Sequence, residues 1–312
     1  MDGFPKTMPE FERRFASEDA CLDFLVAVRW PQGVRCVYCG NPKLWRMRGV
    51  LECASCNRQT RIMAGTIFQD THLPLQTWFR AIWWVVTQKN GASALGLKRV
   101  LGLSYRAAWN LLHKIRRAMV RPGRDRLTGC IEVDETYVGG LEEGVRGRKK
   151  ADKAIVVIAA QVDGKKIGRI RMRRVDDASG DSLLSFIKDV IEPGSTVHTD
   201  AWRGYYGVEG KGYPHRVSIL KESGPEALPR VHLVASLLKR WILGTHQGAV
   251  SKVHLEYYLD EFVFRFNRRA SRSRGKLFQR LMEQAVLTPP VPYAKITKRS
   301  RPYTPPKTAK RT

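Results

Sequence analysis

Two cysteine pairs stand close together near the start of this chain: Cys36 and Cys39 in CVYC, then thirteen residues, then Cys53 and Cys56 in CASC. No other feature restricts the local fold so severely. Four thiolates in two such knuckles surround one zinc ion tetrahedrally, and a tetrahedral centre ties the chain on both sides of it. The intervening KLWRMRGVLEC alternates enough to form the hairpin of a ribbon. With bare thiols, the alternative reading, so short a segment has too little core to fold alone, so structural Zn²⁺ is expected. Cysteines in tight pairs suit a reducing compartment and leave Cys21 and Cys130 as free thiols.

The charge balance is the next constraint. Among 312 residues 55 are Lys or Arg and 29 are Asp or Glu, a formal net charge of +26. An excess of that sign points to a polyanionic partner, since Lys and Arg that neutralise phosphates release counterions and supply sequence-independent affinity. The opening MDGFPKTMPEFERRF carries charges where a secretory leader would be apolar. No apolar run approaches the roughly 18–20 residues that span a bilayer. A cytoplasmic protein with no membrane partner is expected.

Hydrophobic periodicity divides the chain into four parts. Residues 1–65 hold a helix with Phe11, Phe15, Leu22, Leu25 and Val28 at helical spacing, closed by Pro31 and Gly33, followed by the ribbon. Residues 66–125 are helical, with a break at Gly102 and Ser104. After it Ala108, Leu111, Leu112, Ile115 and Met119 recur at three and four, leaving Arg106, Lys114, Arg116 and Arg117 on or beside the polar face. That pattern fits a DNA-binding helix-turn-helix or a plain helical hairpin with solvated charges. Residues 126–285 begin with three strand-like runs, IEVDETYVGG, AIVVIAAQVD and IGRIRMRRV, then a helix, DSLLSFIKDVI, and a further strand, TVHTDAW. Three antiparallel strands, a helix and a further strand give an α/β domain of ribonuclease H-like order. In KVHLEYYLDEFVFRFNRR the stripe Leu255, Tyr258, Leu259, Phe262, Val263 and Phe266 reads as core. Residues 286–312 form a basic, Pro-rich tail expected to be disordered.

Within the first strand Glu132 and Asp134 share one face, Val133 and Glu135 the other. A carboxylate aimed at a sheet edge needs a reason to escape packing, and a metal ion supplies one. Asp200 ends the fourth strand and would converge with Asp134 on a divalent cation, Mg²⁺ preferring such oxygen ligands. Trp202 and Tyr205, which flank Asp200, read as strand-end packing. No Gly-rich phosphate loop and no metalloprotease histidine spacing is present.

IEVDETYVGG, HTDAWRGY and SLLKRWILGTHQGAVSKVHLEYYLDEFVFRFNRR, with the cysteine ribbon in front, resemble the zinc-ribbon group of DDE-type transposases from small bacterial insertion sequences. The resemblance covers most of residues 20–270. It implies a ribonuclease H-like catalytic domain, catalytic Mg²⁺ or Mn²⁺, and cleavage and strand transfer at the inverted repeats of the chain's own element. It also implies work on double-stranded DNA as a homo-oligomer, in a bacterial cytoplasm at the nucleoid. That family carries Glu or Asn as the third catalytic residue, seven positions before Lys or Arg; here the position seven before Lys239 is His232. Seven residues turn through about 700° of helix, so the two share a face. His232 is expected to complete the metal site with Asp134 and Asp200, ahead of Glu222, Glu226, Asp260 and Glu261, and Lys239 and Arg240 to meet DNA phosphates. The rival expectation is a transposase-derived DNA-binding regulator whose metal centre no longer works.

Overall fold

A computed structural model of the chain describes residues 4–121, 123–139, 153–219, 227–248 and 250–297. They form two compact units: the first holds the described residues through Gly123 and from Ser271 onward, the second Arg124–Ala270.

The first unit opens with α1 (Met8–Arg14) and α2 (Glu18–Arg29), where the periodicity predicts one helix. Ser17 makes the break: its backbone is extended and its Oγ accepts from Ala20 N at 3.1 Å, which starts a new helix. The ribbon follows as an antiparallel sheet of β1 (Leu44–Met47), β2 (Val50–Cys53) and β3 (Gln59–Arg61). Arg48 and Gly49 join β1 to β2, both at positive φ (41° and 86°), as a tight two-residue hairpin turn demands. Next come α3 (Leu75–Thr87), α4 (Ala94–Leu101) and α5 (Tyr105–Ala118). The Glu18 carboxylate caps α3, accepting from Leu75 N and Gln76 N at 2.9 Å each. Gly102 ends α4 at φ 64°, and Ser104 Oγ begins α5 by accepting from Ala107 N.

The chain returns to this unit as α9 (Arg274–Leu287) and α10 (Tyr293–Thr297). Two expectations are corrected here. Residues 274–285 do not belong with the later α/β domain. The Phe278 ring sits 5.3–6.1 Å, centroid to centroid, from Phe11, Phe15, Phe24, Phe79 and Trp83, so α9 completes an aromatic core begun by α1, α2 and α3. Gly275 admits the N-terminal segment: a Cβ there would stand 2.5 Å from the Pro5 carbonyl oxygen. Nor is the whole of 286–312 a structureless tail, because α9 runs on to Leu287 and Ile296 of α10 is buried. Residues 298–312 lie outside the described residues.

The second unit is a five-stranded sheet of β4 (Cys130–Val138), β5 (Ala154–Asp163), β6 (Lys166–Val175), β7 (Thr196–Asp200) and β8 (His215–Ser218), in the order β6-β5-β4-β7-β8. The first three in sequence pair antiparallel; β7 runs parallel to β4, and β8 to β7. Strand alternation sends Ile131, Val133, Val157 and Ala159 against α6 (Gly180–Val190), where Leu183, Phe186 and Ile187 are buried. The opposite face, with Val156, Ile158, Ala160, Ile170 and Met172, packs under α7 (Pro229–His246) and α8 (Leu255–Phe266). β8 was not foreseen, because HRVS carries a single apolar residue, Val217, and that one is exposed. Among the described residues no helix is long and apolar enough to cross a membrane.

Candidate metal centres

The two cysteine knuckles share one backbone plan. Gly40 N donates to Cys36 O at 2.9 Å and Asn57 N to Cys53 O at 3.0 Å, while Cys36 N and Cys53 N donate to Asn41 O and Arg58 O. Gly40 and Asn57 both take the left-handed conformation that this tight reversal needs, at φ 74° and 55°. The four Sγ atoms all lie within 4.8 Å of one another, with Cys36–Cys56 at 3.6 Å and Cys39–Cys53 at 3.5 Å. Zn–S bonds of about 2.3 Å put tetrahedral sulfurs about 3.8 Å apart, so the cage fits structural zinc. The backbone N–H groups of Tyr38 and Cys39 hold the Cys36 thiol down to about 6 and those of Cys56 and Ser55 lower Cys53, while at Cys39 the N–H of Asn41 is outweighed by the neighbouring thiols and burial, which push it up to about 12.

The second centre lies on the α7 side of the sheet. Glu132 is fully buried and its carboxylate starts α7, accepting from Arg230 N at 2.7 Å and Val231 N at 2.9 Å while pairing with the Arg230 guanidinium at 2.9 Å. The next α7 residue is His232, and the next β4 residue on that face is Asp134. Their Nε2 and Oδ2 atoms are 3.2 Å apart. Both stay partly open to solvent. The parallel ladder between β4 and β7 ends at the Glu132–His198 pair, two residues before Asp134 on one strand and two before Asp200 on the other. Asp200 Oδ1 accepts from Trp202 N at 3.0 Å, which turns the chain at the strand end.

On the opposite face Glu135 accepts from the Tyr205 hydroxyl at 2.8 Å. Tyr205 is fully buried; burial, then the charges of Glu135, Asp134 and Asp200, push its phenol well above the usual range. Glu135 holds the hydroxyl, and the charges of Asp134 and Asp200 act on it as well. Sequence reasoning placed Glu135 on its face but missed this bond and the role of Glu132; β-strand parity was the only signal for either.

The structure brings Asp134 and His232 into contact, with Asp200 at the end of the neighbouring strand. It does not draw Asp200 into one tight cluster with them: among the described residues only the four cysteines have ligand atoms all within 4.8 Å. Lys239 and Arg240 are exposed on α7, two turns beyond His232. Glu222 and Glu226 lie outside the described residues, and Glu261 is buried against Arg265 at 2.8 Å. Of the cations assigned to DNA on α5, Arg116 is withdrawn, being buried with its guanidinium donating to Ala92 O at 3.2 Å. Arg106 is exposed but lies over the Tyr293 ring of α10 at 4.4 Å. Lys114 is half-buried 5.9 Å from the Trp78 ring centre, its ammonium lowered by desolvation, and Arg117 is half-buried.

Residues 126–267 match the ISXO2-like transposase domain and residues 16–59 the transposase zinc-ribbon domain. Both matched models are of transposase domains. A protein of the transposable element ISH50 from Halobacterium salinarum is 27% identical over 289 residues, covering 85% of this chain and 95% of its own.

Proposed function

We propose that the protein is an insertion-sequence transposase that binds the inverted ends of its element and cuts and joins DNA there in a reaction dependent on Mg²⁺ or Mn²⁺. The observation that carries this reading is the 3.2 Å approach of His232 Nε2 to Asp134 Oδ2, with Asp200 at the end of the adjacent strand β7. Neighbouring ligands of an octahedral ion with bonds of about 2.1 Å are about 3 Å apart, so the pair fits one edge of such a sphere. The strand order, with β4 central, β5 and β6 antiparallel beside it and β7 parallel on its other side, supports a ribonuclease H-like domain of DDE type.

Asp134 and Asp200 would offer oxygen ligands from adjacent strands, and His232 a nitrogen in the third position. Bound divalent cations supply activation of the attacking oxygen and compensation of charge on the leaving one. The exposed Lys239 and Arg240 would hold the phosphate backbone. Water attacks an end phosphodiester and the 3′ oxygen leaves as a hydroxyl; that hydroxyl then attacks a target phosphodiester, displacing its own 3′ oxygen. In this reading the protein works as a homo-oligomer on paired ends at the bacterial nucleoid.

The histidine where the family has Glu or Asn favours one second reading, a DNA-binding regulator without cleavage. Incubation of the full chain with labelled terminal-repeat duplex and Mn²⁺ or Mg²⁺ separates the two. Nicking at the repeat that disappears in Asp134→Asn is expected; specific binding with no nicking would leave only the regulator.

A further inference from the structure

The ribbon sheet has one face turned inward and one outward. Inward, Leu51 and Cys53 are buried and Arg46 pairs with Asp19 and Asp23 of α2. Outward, strand alternation aligns Trp45 and Met47 of β1 beside Val50 and Glu52 of β2 and Arg61 of β3. Trp45 and Met47 are each 57% exposed, and in the adjoining knuckle Tyr38 is equally open. Cations dress these rings: Lys43 lies 5.3 Å from the Trp45 ring centre and Arg58 4.6 Å from that of Tyr38. Between residues 35 and 61 the chain carries six Lys or Arg against one acid, Glu52, which already accepts from Gln59 at 2.8 Å.

We propose that this outer face of the ribbon is a stacking platform for unpaired nucleotides of DNA, the frayed or cleaved ends that the proposed reaction exposes. A cluster of open apolar side chains, Trp45, Met47 and Tyr38, set among cations matches a partner with flat apolar faces and a phosphate backbone. Unstacked bases have both. A closed duplex shows only base edges and phosphates, which would leave Trp45 without a role. On α5 Arg116 is buried and Lys114 half-buried, whereas Trp45, Met47 and Tyr38 of the ribbon stay open, so the ribbon is the better equipped of the two surfaces. The inference rests on the transposase reading only for its choice of DNA; the platform itself is read from exposure and charge.

The test is fluorescence anisotropy of the full-length, zinc-loaded protein at fixed salt. The labelled probes are a single strand of about 20 nucleotides, the same sequence as a blunt duplex, and a duplex with a 3′ overhang. Trp45→Ala is expected to weaken binding of the single strand and the overhang between about 5-fold and about 150-fold, as loss of one base-stacking ring does, while blunt-duplex binding holds. Trp45→Phe should recover most of the loss, and unchanged zinc content in both variants shows that the ribbon is intact. Equal loss on the blunt duplex, or no loss on the single strand, would overturn the proposal. So would loss of self-association in Trp45→Ala with single-strand binding unchanged, which would assign the face to a second copy of this chain. Absence of nicking by the wild type would sink the enzyme reading and leave these binding differences standing.

Discussion

Glu132 is the residue on which the geometry of the second centre turns, and replacing it has a calculable cost. Its side chain is 2% exposed and that of Arg230 24% exposed, so the pair lies in the regime where removing one partner strands the other. Such a loss typically costs about 3–5 kcal/mol, far more than the ~0–1 kcal/mol of an exposed pair. Glu132→Ala also takes away the acceptor for two backbone N–H groups at the start of α7. Because one carboxylate serves all three donors, the costs overlap rather than add, and about 3–5 kcal/mol remains the expectation. Glu132→Gln keeps an oxygen for the helix start but loses the charge, which should cost about 1.5–3 kcal/mol. Urea unfolding of both variants measures this directly. Removing Arg230 as well, in a Glu132→Leu, Arg230→Met chain, should return part of the loss. A cost below about 1 kcal/mol for Glu132→Ala would show that the pair behaves as a solvated one, and the argument that Glu132 holds His232 against Asp134 would fail.

Three further outcomes are expected. Chelating the zinc should unravel residues 36–61 while the α/β unit keeps its own unfolding transition, which limited proteolysis followed by mass spectrometry would show as cuts confined to the ribbon. Glu256 is half-buried on α8, where desolvation and then the charge of Asp260 raise its carboxyl from 4.5 to about 8. A raised acid binds its proton more tightly folded than unfolded, so stability should fall as pH climbs from about 4.5 to about 8, by about 3 kcal/mol at pH 7, and Glu256→Gln should flatten that slope in urea titrations at several pH values. Tyr205→Phe removes the 2.8 Å bond to Glu135 without changing ring volume; it should cost about 1.5–3 kcal/mol and weaken Mn²⁺ binding measured by calorimetry, whereas an unchanged Mn²⁺ affinity would make the bond purely structural.

Local patterns carried well into the structure where the physics is local. The ribbon cage was readable because tetrahedral sulfur coordination fixes spacing, and the face that Asp134 shares with Glu132 was readable because a strand repeats every two residues. What was not readable depends on which element covers which. An apolar stripe says that a helix is buried, not against what, so α9 was assigned to the wrong unit although Phe278 was visibly apolar. The same limit hid Arg116: helical periodicity put it beside the polar face, but the carbonyl of Ala92, 24 residues earlier, needed a donor and the guanidinium turned inward. Ser17 was legible in principle, since a Ser followed by acids is a helix-start signal, and it was outweighed by an apolar period that runs on across the break.

The stretch YLDEFVFRFNRR helped carry the family resemblance, and the structure gives much of it a task other than catalysis. β6 is the outer strand of the sheet, with one row of backbone groups facing away from β5. Polar side chains from α8 and the turn after it take up that row. Glu256 accepts from Arg174 N at 2.6 Å, Asn267 both accepts from Ile170 N at 2.7 Å and donates to Ile170 O at 3.1 Å, and Arg269 donates to Gly168 O and Ile167 O. Asn267 thus does with one amide what a neighbouring strand would do with a peptide group. A bare edge invites pairing with another chain, and a protein expected to gather several copies of itself on DNA meets that hazard at high local concentration. A motif can therefore identify a family through the residues that close its sheet, and its presence says little about whether the proposed metal site beside β7 reacts. That question stays with Asp134, Asp200 and His232.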